Sequence, residues 1–226
     1  MMIYGAKTNN QKFDDENYLV IRNLWNPAEL QCYPPDETGI FRYDDRGNLT
    51  EKEEECQVVG STSRYFYPGY KHIHIGIRRK IEEVIGKKLY DTYYYDRFYF
   101  PGQALTRHAY RDACEISVTV HISTNLEGKD ADWPIWIKTP DTYTDETKSK
   151  VSVPGENKSV ILKAGDGMIY KGCERPHWRD PMPTPRRRKR DIILRRKQKE
   201  YYYHQIFFHY VLADGQRAHC ANDSTR

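Results

Sequence analysis

Two stretches decide how this chain reads. The first is Arg107-His108-Ala109-Tyr110-Arg111-Asp112-Ala113-Cys114-Glu115, which runs straight into Ile116-Ser117-Val118-Thr119-Val120-His121-Ile122. The second is Gly165-Asp166-Gly167-Met168-Ile169-Tyr170-Lys171-Gly172-Cys173-Glu174-Arg175-Pro176-His177-Trp178-Arg179. Each sets one histidine, His108 or His177, at the end of an alternating β pattern. A divalent metal such as iron can sit between two such imidazoles. The residue two after His108, where a third ligand is expected, is Tyr110.

Working outward, further strand patterns occupy residues 18–21, 93–100, 105–110, 115–122, 133–138, 159–163, 167–170 and 205–212, separated by Gly, Pro and Asp turns. Many short strands so punctuated predict a sandwich or barrel. Ile73, Ile77, Ile81 and Ile85 recur every fourth residue and Gly86 follows, which predicts an amphipathic helix over 71–85. His72 and His74 are then ordinary residues of its first turn. Asn26-Pro27-Ala28-Glu29 has the N-cap and first-turn proline of a helix that would end before Pro34-Pro35. The acidic segment 36–55 reads as an exposed loop or hairpin.

The chain has 226 residues, 30% of them charged and 38% hydrophobic, a size that one core can serve. A net charge of +4 does not by itself point to nucleic acid. Five separated cysteines without a CxxC pair argue against a zinc ribbon or a disulfide framework. With no apolar run of signal-peptide or membrane-span length, a soluble cytoplasmic protein is expected. One region is strongly biased: the insertion 181–200, with Arg186-Arg187-Arg188-Lys189-Arg190 and Arg195-Arg196-Lys197.

In combination these motifs resemble the 2-oxoglutarate/Fe(II)-dependent dioxygenase superfamily, closest to small members from marine bacterial viruses and bacteria. The resemblance rests on Asp91-Thr92-Tyr93-Tyr94-Tyr95-Asp96-Arg97-Phe98-Tyr99, Gly102, His108, Arg111 and Cys114-Glu115-Ile116-Ser117-Val118-Thr119-Val120. It continues through Trp133-Pro134-Ile135, Gly165-Asp166-Gly167, Tyr170, Gly172, His177-Trp178-Arg179 and Gln205-Ile206-Phe207-Phe208-His209-Tyr210-Val211. It implies one domain over 1–226: a helical N-terminal part to about residue 90 and a mainly β, double-stranded β-helix (jelly-roll) core over about 91–212. It also implies Fe(II) held by His108, His177 and a third ligand, with 2-oxoglutarate as co-substrate. The activity implied is oxidative decarboxylation of 2-oxoglutarate coupled to hydroxylation of a substrate by dioxygen.

The family's metal carboxylate is replaced here by Tyr110, so the His-x-Asp motif reads His-Ala-Tyr. Three readings stand open. Tyr110 ligates the metal as phenolate, since a cation lowers the pKa of a ligand oxygen. Alternatively, only the two histidines remain, with water, halide or no metal beside them. In the third, Asp112, two residues further on, reaches in through a bulge. Arg179, on the same side as His177, suits the distal carboxylate of 2-oxoglutarate fork to fork, and Tyr99 or Tyr93 can add a phenol. His121 and His209 read as core histidines, and Glu115 and Asp166 as carboxylates that fix turns. The substrate pocket is expected from loops 36–60, 139–158 and 181–200. The competing reading is a retired jelly roll that binds an anionic ligand, or nucleic acid through 186–197.

Overall fold

The computed structural model describes residues 7–146, 149–185 and 200–223. The arginine-rich run 186–197, to which the competing reading assigns nucleic acid, lies outside the described residues. The chain opens with α1 (Asn9–Glu16), β1 (Tyr18–Ile21), β2 (Gly39–Tyr43), β3 (Leu49–Glu53), β4 (Thr62–Tyr65) and α2 (Lys71–Ile85). It continues as β5 (Leu89–Tyr99), β6 (Leu105–His108), β7 (Ile116–Thr124), β8 (Ile135–Lys138), β9 (Thr142–Glu146) and β10 (Ser149–Val153). The last strands are β11 (Asn157–Val160), β12 (Gly167–Lys171), β13 (His177–Arg179) and β14 (Tyr203–Leu212).

An eight-stranded sheet runs β1-β12-β7-β14-β5-β4-β2-β3, and a four-stranded sheet runs β11-β8-β13-β6. This is a mainly β, double-stranded β-helix with a helical layer on the large sheet, as the sequence predicts. Strand alternation explains the layering. Ile116, Val118, Val120, Ile206 and Phe208 share a core with Ile73, Ile77, Ile81 and Ile85 of α2. Each of those isoleucines is essentially fully buried, worth roughly 1.5–3 kcal/mol apiece. The intervening residues, among them Ser117, Thr119, His121, Tyr203, Gln205 and His209, form a buried polar face on the other side.

Two expectations change and one is narrowed. The N-terminal part is not only helical: β1 to β4 complete the large sheet. The acidic segment is a hairpin, closed by Asp44 accepting the amides of Arg46 and Asn48 and by Gly47 at φ +85°. The helix expected after Asn26 is one 3-10 turn, Pro27–Glu29, because the chain then extends to bury Leu30 and bring Cys32 to Arg64. All five cysteines are free. No helix among the described residues is long and apolar enough to cross a membrane.

The N-terminal strands are locked to β5 by charge. Arg64 on β4 stands opposite Asp96 and donates through Nε at 3.0 Å and through Nη2; His204 Nε2 adds a bond of 2.8 Å to the same carboxylate. Burial alone would raise the pKa of Asp96, but Arg64 and His204 outweigh it and hold it down to about 2. Asp96→Ala leaves the Arg64 guanidinium buried and uncompensated, so denaturant unfolding should show a loss of about 3–5 kcal/mol. A loss under 1 kcal/mol would mean that this lattice of charges is not what docks β4.

Candidate active site

The small sheet brings the two histidines together. His177 pairs directly with His108 across β13 and β6, and their ring centroids lie 4.4 Å apart. Each imidazole is held in one tautomer by a backbone carbonyl two residues upstream. His108 Nδ1–H donates to Thr106 at 2.8 Å, and His177 Nδ1–H donates to Arg175 at 3.0 Å. Their Nε2 lone pairs are thereby free, which is the arrangement of metal-ligating histidines. His177 Nε2 is buried without a partner, and His108 Nε2 meets only the Gln57 amide, at 3.4 Å. Burial lowers both imidazole pKa values, His177 to about 3 with the neighbouring His108 contributing, so both rings are neutral at neutral pH.

Tyr110 joins them, although not as a strand residue. β6 ends at His108, and the Tyr110 amide donates to the Gly172 carbonyl at 2.9 Å. Its ring sits 4.5 Å from that of His177 and 5.1 Å from that of His108. The ring is partly exposed, while the phenol end is buried 3.5 Å from the Tyr95 hydroxyl. Burial, then the nearby Tyr170, push its pKa well above the ordinary value near 10. The free side chain is therefore a neutral phenol.

Asp112 does not reach in. It begins a 3-10 turn, Asp112–Cys114, where its exposed carboxylate takes Arg217 at 2.8 Å. Among the described residues, only Cys32, Asp96 and His204 form a group of three His, Cys, Asp or Glu donors converging within 4.8 Å. Arg64 already occupies that cluster, through Asp96 and through Cys32 Sγ at 3.0 Å, so a cation is excluded there. Among the described residues, no carboxylate completes the His108/His177 pair.

Arg179 is 2% exposed on β13. Nη1 donates to the Trp133 carbonyl at 2.7 Å, while Nε and Nη2 have no partner. Its guanidinium lies 4.5 Å from the Trp133 ring and 5.0 Å from that of Tyr203. The hydroxyls of Tyr99 and Tyr203 are buried and unpartnered as well. Tyr93 is excluded, because its hydroxyl is taken by Cys114 Sγ at 3.1 Å. Tyr203 escaped the sequence reading; its signal is the alternation Tyr203, Gln205, Phe207, His209 along an inward face. His121 stacks on Tyr203 at 4.1 Å, and His209 binds Ser117 Oγ at 3.0 Å. Asp166 and Glu115 act as expected: Asp166 accepts the amides of Asn23 and Lys163, and Glu115 accepts that of Leu212.

No family model and no curated protein matches the sequence. Solved structures do. The chain is similar to an oxidoreductase of the 2OG-Fe(II) oxygenase family from Burkholderia pseudomallei, at TM-score 0.54 and 9% identity, covering 89% of this chain and 88% of the other. HygX from Streptomyces hygroscopicus, solved with nickel and 2-oxoglutarate, matches at TM-score 0.51 and 10% identity over 87% and 84%. A Pseudomonas putida prolyl-4-hydroxylase matches at TM-score 0.50 and 13% identity over 88% and 95%. The fold is thus that of the 2-oxoglutarate/Fe(II) oxygenases.

The buried histidines set an acid limit on stability. His74 has its pKa lowered to about 4, and His121 and His177 to about 3, with burial the first cause in each. All lie below the ~6.5 of an unfolded chain, so the unfolded state binds more protons below that pH. The stability they contribute is complete above pH 6.5 and is lost as pH falls toward 4. Together they predict a decline approaching ~4 kcal/mol per pH unit around pH 5. Urea midpoints of chelator-treated protein between pH 7.5 and 4.5 check this; a flat profile would contradict it.

Proposed function

We propose that the protein is a non-haem Fe(II)- and 2-oxoglutarate-dependent oxygenase, a hydroxylase in its likeness to the structures above. The observation that carries this reading is the pair His108/His177, tautomer-fixed and neutral, with Nε2 of His177 buried and unpartnered, together with the half-partnered Arg179 two residues further on. Fe(II) bound there would supply oxidation of a substrate C–H bond by dioxygen, coupled to conversion of 2-oxoglutarate to succinate and CO2.

The protein's own part is binding and exclusion of water. Arg179 would receive the distal carboxylate on Nε and Nη2, with the Tyr203 and Tyr99 hydroxyls as neutral donors beside it. The carbonyls of Thr106 and Arg175 keep the imidazoles oriented. Tyr110 would take the third ligand position as phenolate, since a cation lowers the pKa of a coordinated oxygen against the burial that holds its proton. The missing carboxylate is also what favours the rival, a jelly roll that binds an anionic ligand without chemistry.

Protein loaded with Fe(II) and 2-oxoglutarate in air should release succinate, and His177→Ala should lose this at least ~100-fold. Arg179→Gln should raise the KM for 2-oxoglutarate by about 10–100-fold, the worth of charged hydrogen bonds of ~1.5–3 kcal/mol. No succinate from metal-loaded wild type would remove the enzyme reading and leave the binding module. Phenolate ligation is read separately. Ferric protein should show a visible charge-transfer band that Tyr110→Phe abolishes, and a colourless ferric protein counts against Tyr110 as ligand.

A further inference from the structure

We infer that Arg97 and Gln57 form a second anion site beside His108, which takes a carboxylate of the primary substrate; this rests on the oxygenase reading of the cavity. Arg97 lies at the middle of β5 with no exposed surface, on the same strand face as Tyr95 and Tyr99. Its Nε donates to Ser63 Oγ at 2.8 Å, and its Nη2 donates to Glu55 at 2.9 Å and to Gln57 Oε1 at 3.0 Å. Nη1 has no partner. A guanidinium holds its five N–H groups in one rigid fork, so fixing Nε and Nη2 also fixes the direction in which Nη1 points.

Gln57 connects this arginine to the metal site. Because Arg97 can only donate, it must meet the amide oxygen, and the amide nitrogen is then the atom 3.4 Å from His108 Nε2. That imidazole nitrogen is the one assigned to the metal. With a metal on that nitrogen, the Gln57 N–H would be left as a donor on the side chain that already binds Arg97, whose Nη1 is unpartnered. Two such donors suit the two oxygens of a carboxylate.

The site is distinct from the 2-oxoglutarate anchor. Arg179 is surrounded by Trp133, Tyr203 and His121, whereas Arg97 is held by Ser63, Glu55 and Gln57. Gln57 is half-buried and belongs to a segment in which Cys56 is exposed and Val59 is 79% exposed, while Arg179 lies against Trp133 at 3% exposure. An anion suits the unpartnered Nη1 of Arg97, and an amine would be repelled by the guanidinium.

The test uses the full protein saturated with Ni(II) and 2-oxoglutarate, titrated with N-acetylglycine and with its uncharged counterpart N-acetylglycinamide, and read by calorimetry and ligand-observed NMR. The carboxylate should bind at least ten times more tightly than the amide. Gln57→Ala should weaken the carboxylate several-fold and leave the amide unchanged. Because Arg97→Gln alone strands Glu55, the informative variant is Arg97→Gln with Glu55→Gln, which should lose the preference while still binding 2-oxoglutarate. Equal binding of both probes overturns the inference, as does a preference that survives in the double variant or vanishes only in Arg179→Gln. The same titration on metal-free protein separates the two claims. Failure to bind Ni(II) and 2-oxoglutarate defeats the oxygenase reading, whereas loss of carboxylate preference with both bound defeats only this one.

Discussion

Asp96 and Arg97 are neighbours on β5 and so point to opposite faces of the large sheet, each buried and each paired with a partner from the N-terminal segment. Arg64 stands opposite Asp96 and Ser63 opposite Arg97, with Glu55 closing the second pair. A slip of one residue between β4 and β5 would move Arg64 onto the face of Arg97 and strand both pairs. The register is therefore fixed by a cost that apolar strands could not impose. The consequence for the site is direct, since the same lock that docks β4 and β2 delivers Glu55 and Gln57 to the flank of His108.

The sequence carried some of this plainly and some not at all. The α2 helix was legible because its isoleucines repeat at a helical period and a glycine ends it, at φ +66°. His108 and His177 were legible because each closes a β pattern. Asp112 shares a face with Tyr110 only if the strand continues past His108; the chain turns there instead, alternation ends, and the carboxylate meets Arg217. Tyr93 and Tyr99 lie on one strand face and look equivalent in sequence, yet only the fold shows that Cys114 takes one hydroxyl and leaves the other. Glu55 and Gln57 sit in an acidic, polar stretch that reads as solvated. Glu55 is buried and Gln57 half-buried through bonds to Arg97, 42 and 40 residues away, so no local pattern records them.

The cavity is unusual for its polarity. The hydroxyls of Tyr99, Tyr170 and Tyr203, two nitrogens of Arg179, one of Arg97 and Nε2 of both His177 and His209 are all buried without protein partners. Each such group costs on the order of 1–3 kcal/mol. A core selected for stability alone would not keep so many together. Their placement on the inward faces of β5, β12, β13 and β14 marks a surface built to meet something polar.

Tyr110 gains meaning in that setting. Gly172 stands against it so closely that a Cβ there would lie 2.9 Å from the Tyr110 ring and 2.4 Å from the Cys114 carbonyl. The backbone bond from Tyr110 to Gly172 fixes the same approach from the other side. The ring is thus seated by its surroundings and does not need a metal to hold it. What it lacks is charge, since burial keeps the free phenol neutral. On the oxygenase reading proposed above, a bound cation could be balanced by ionising the phenol, which burial opposes, or by admitting an anion from outside, for which Arg97 holds a free donor. The two routes would compete, so an anionic substrate seated at Arg97 would weaken the pull that ionises Tyr110.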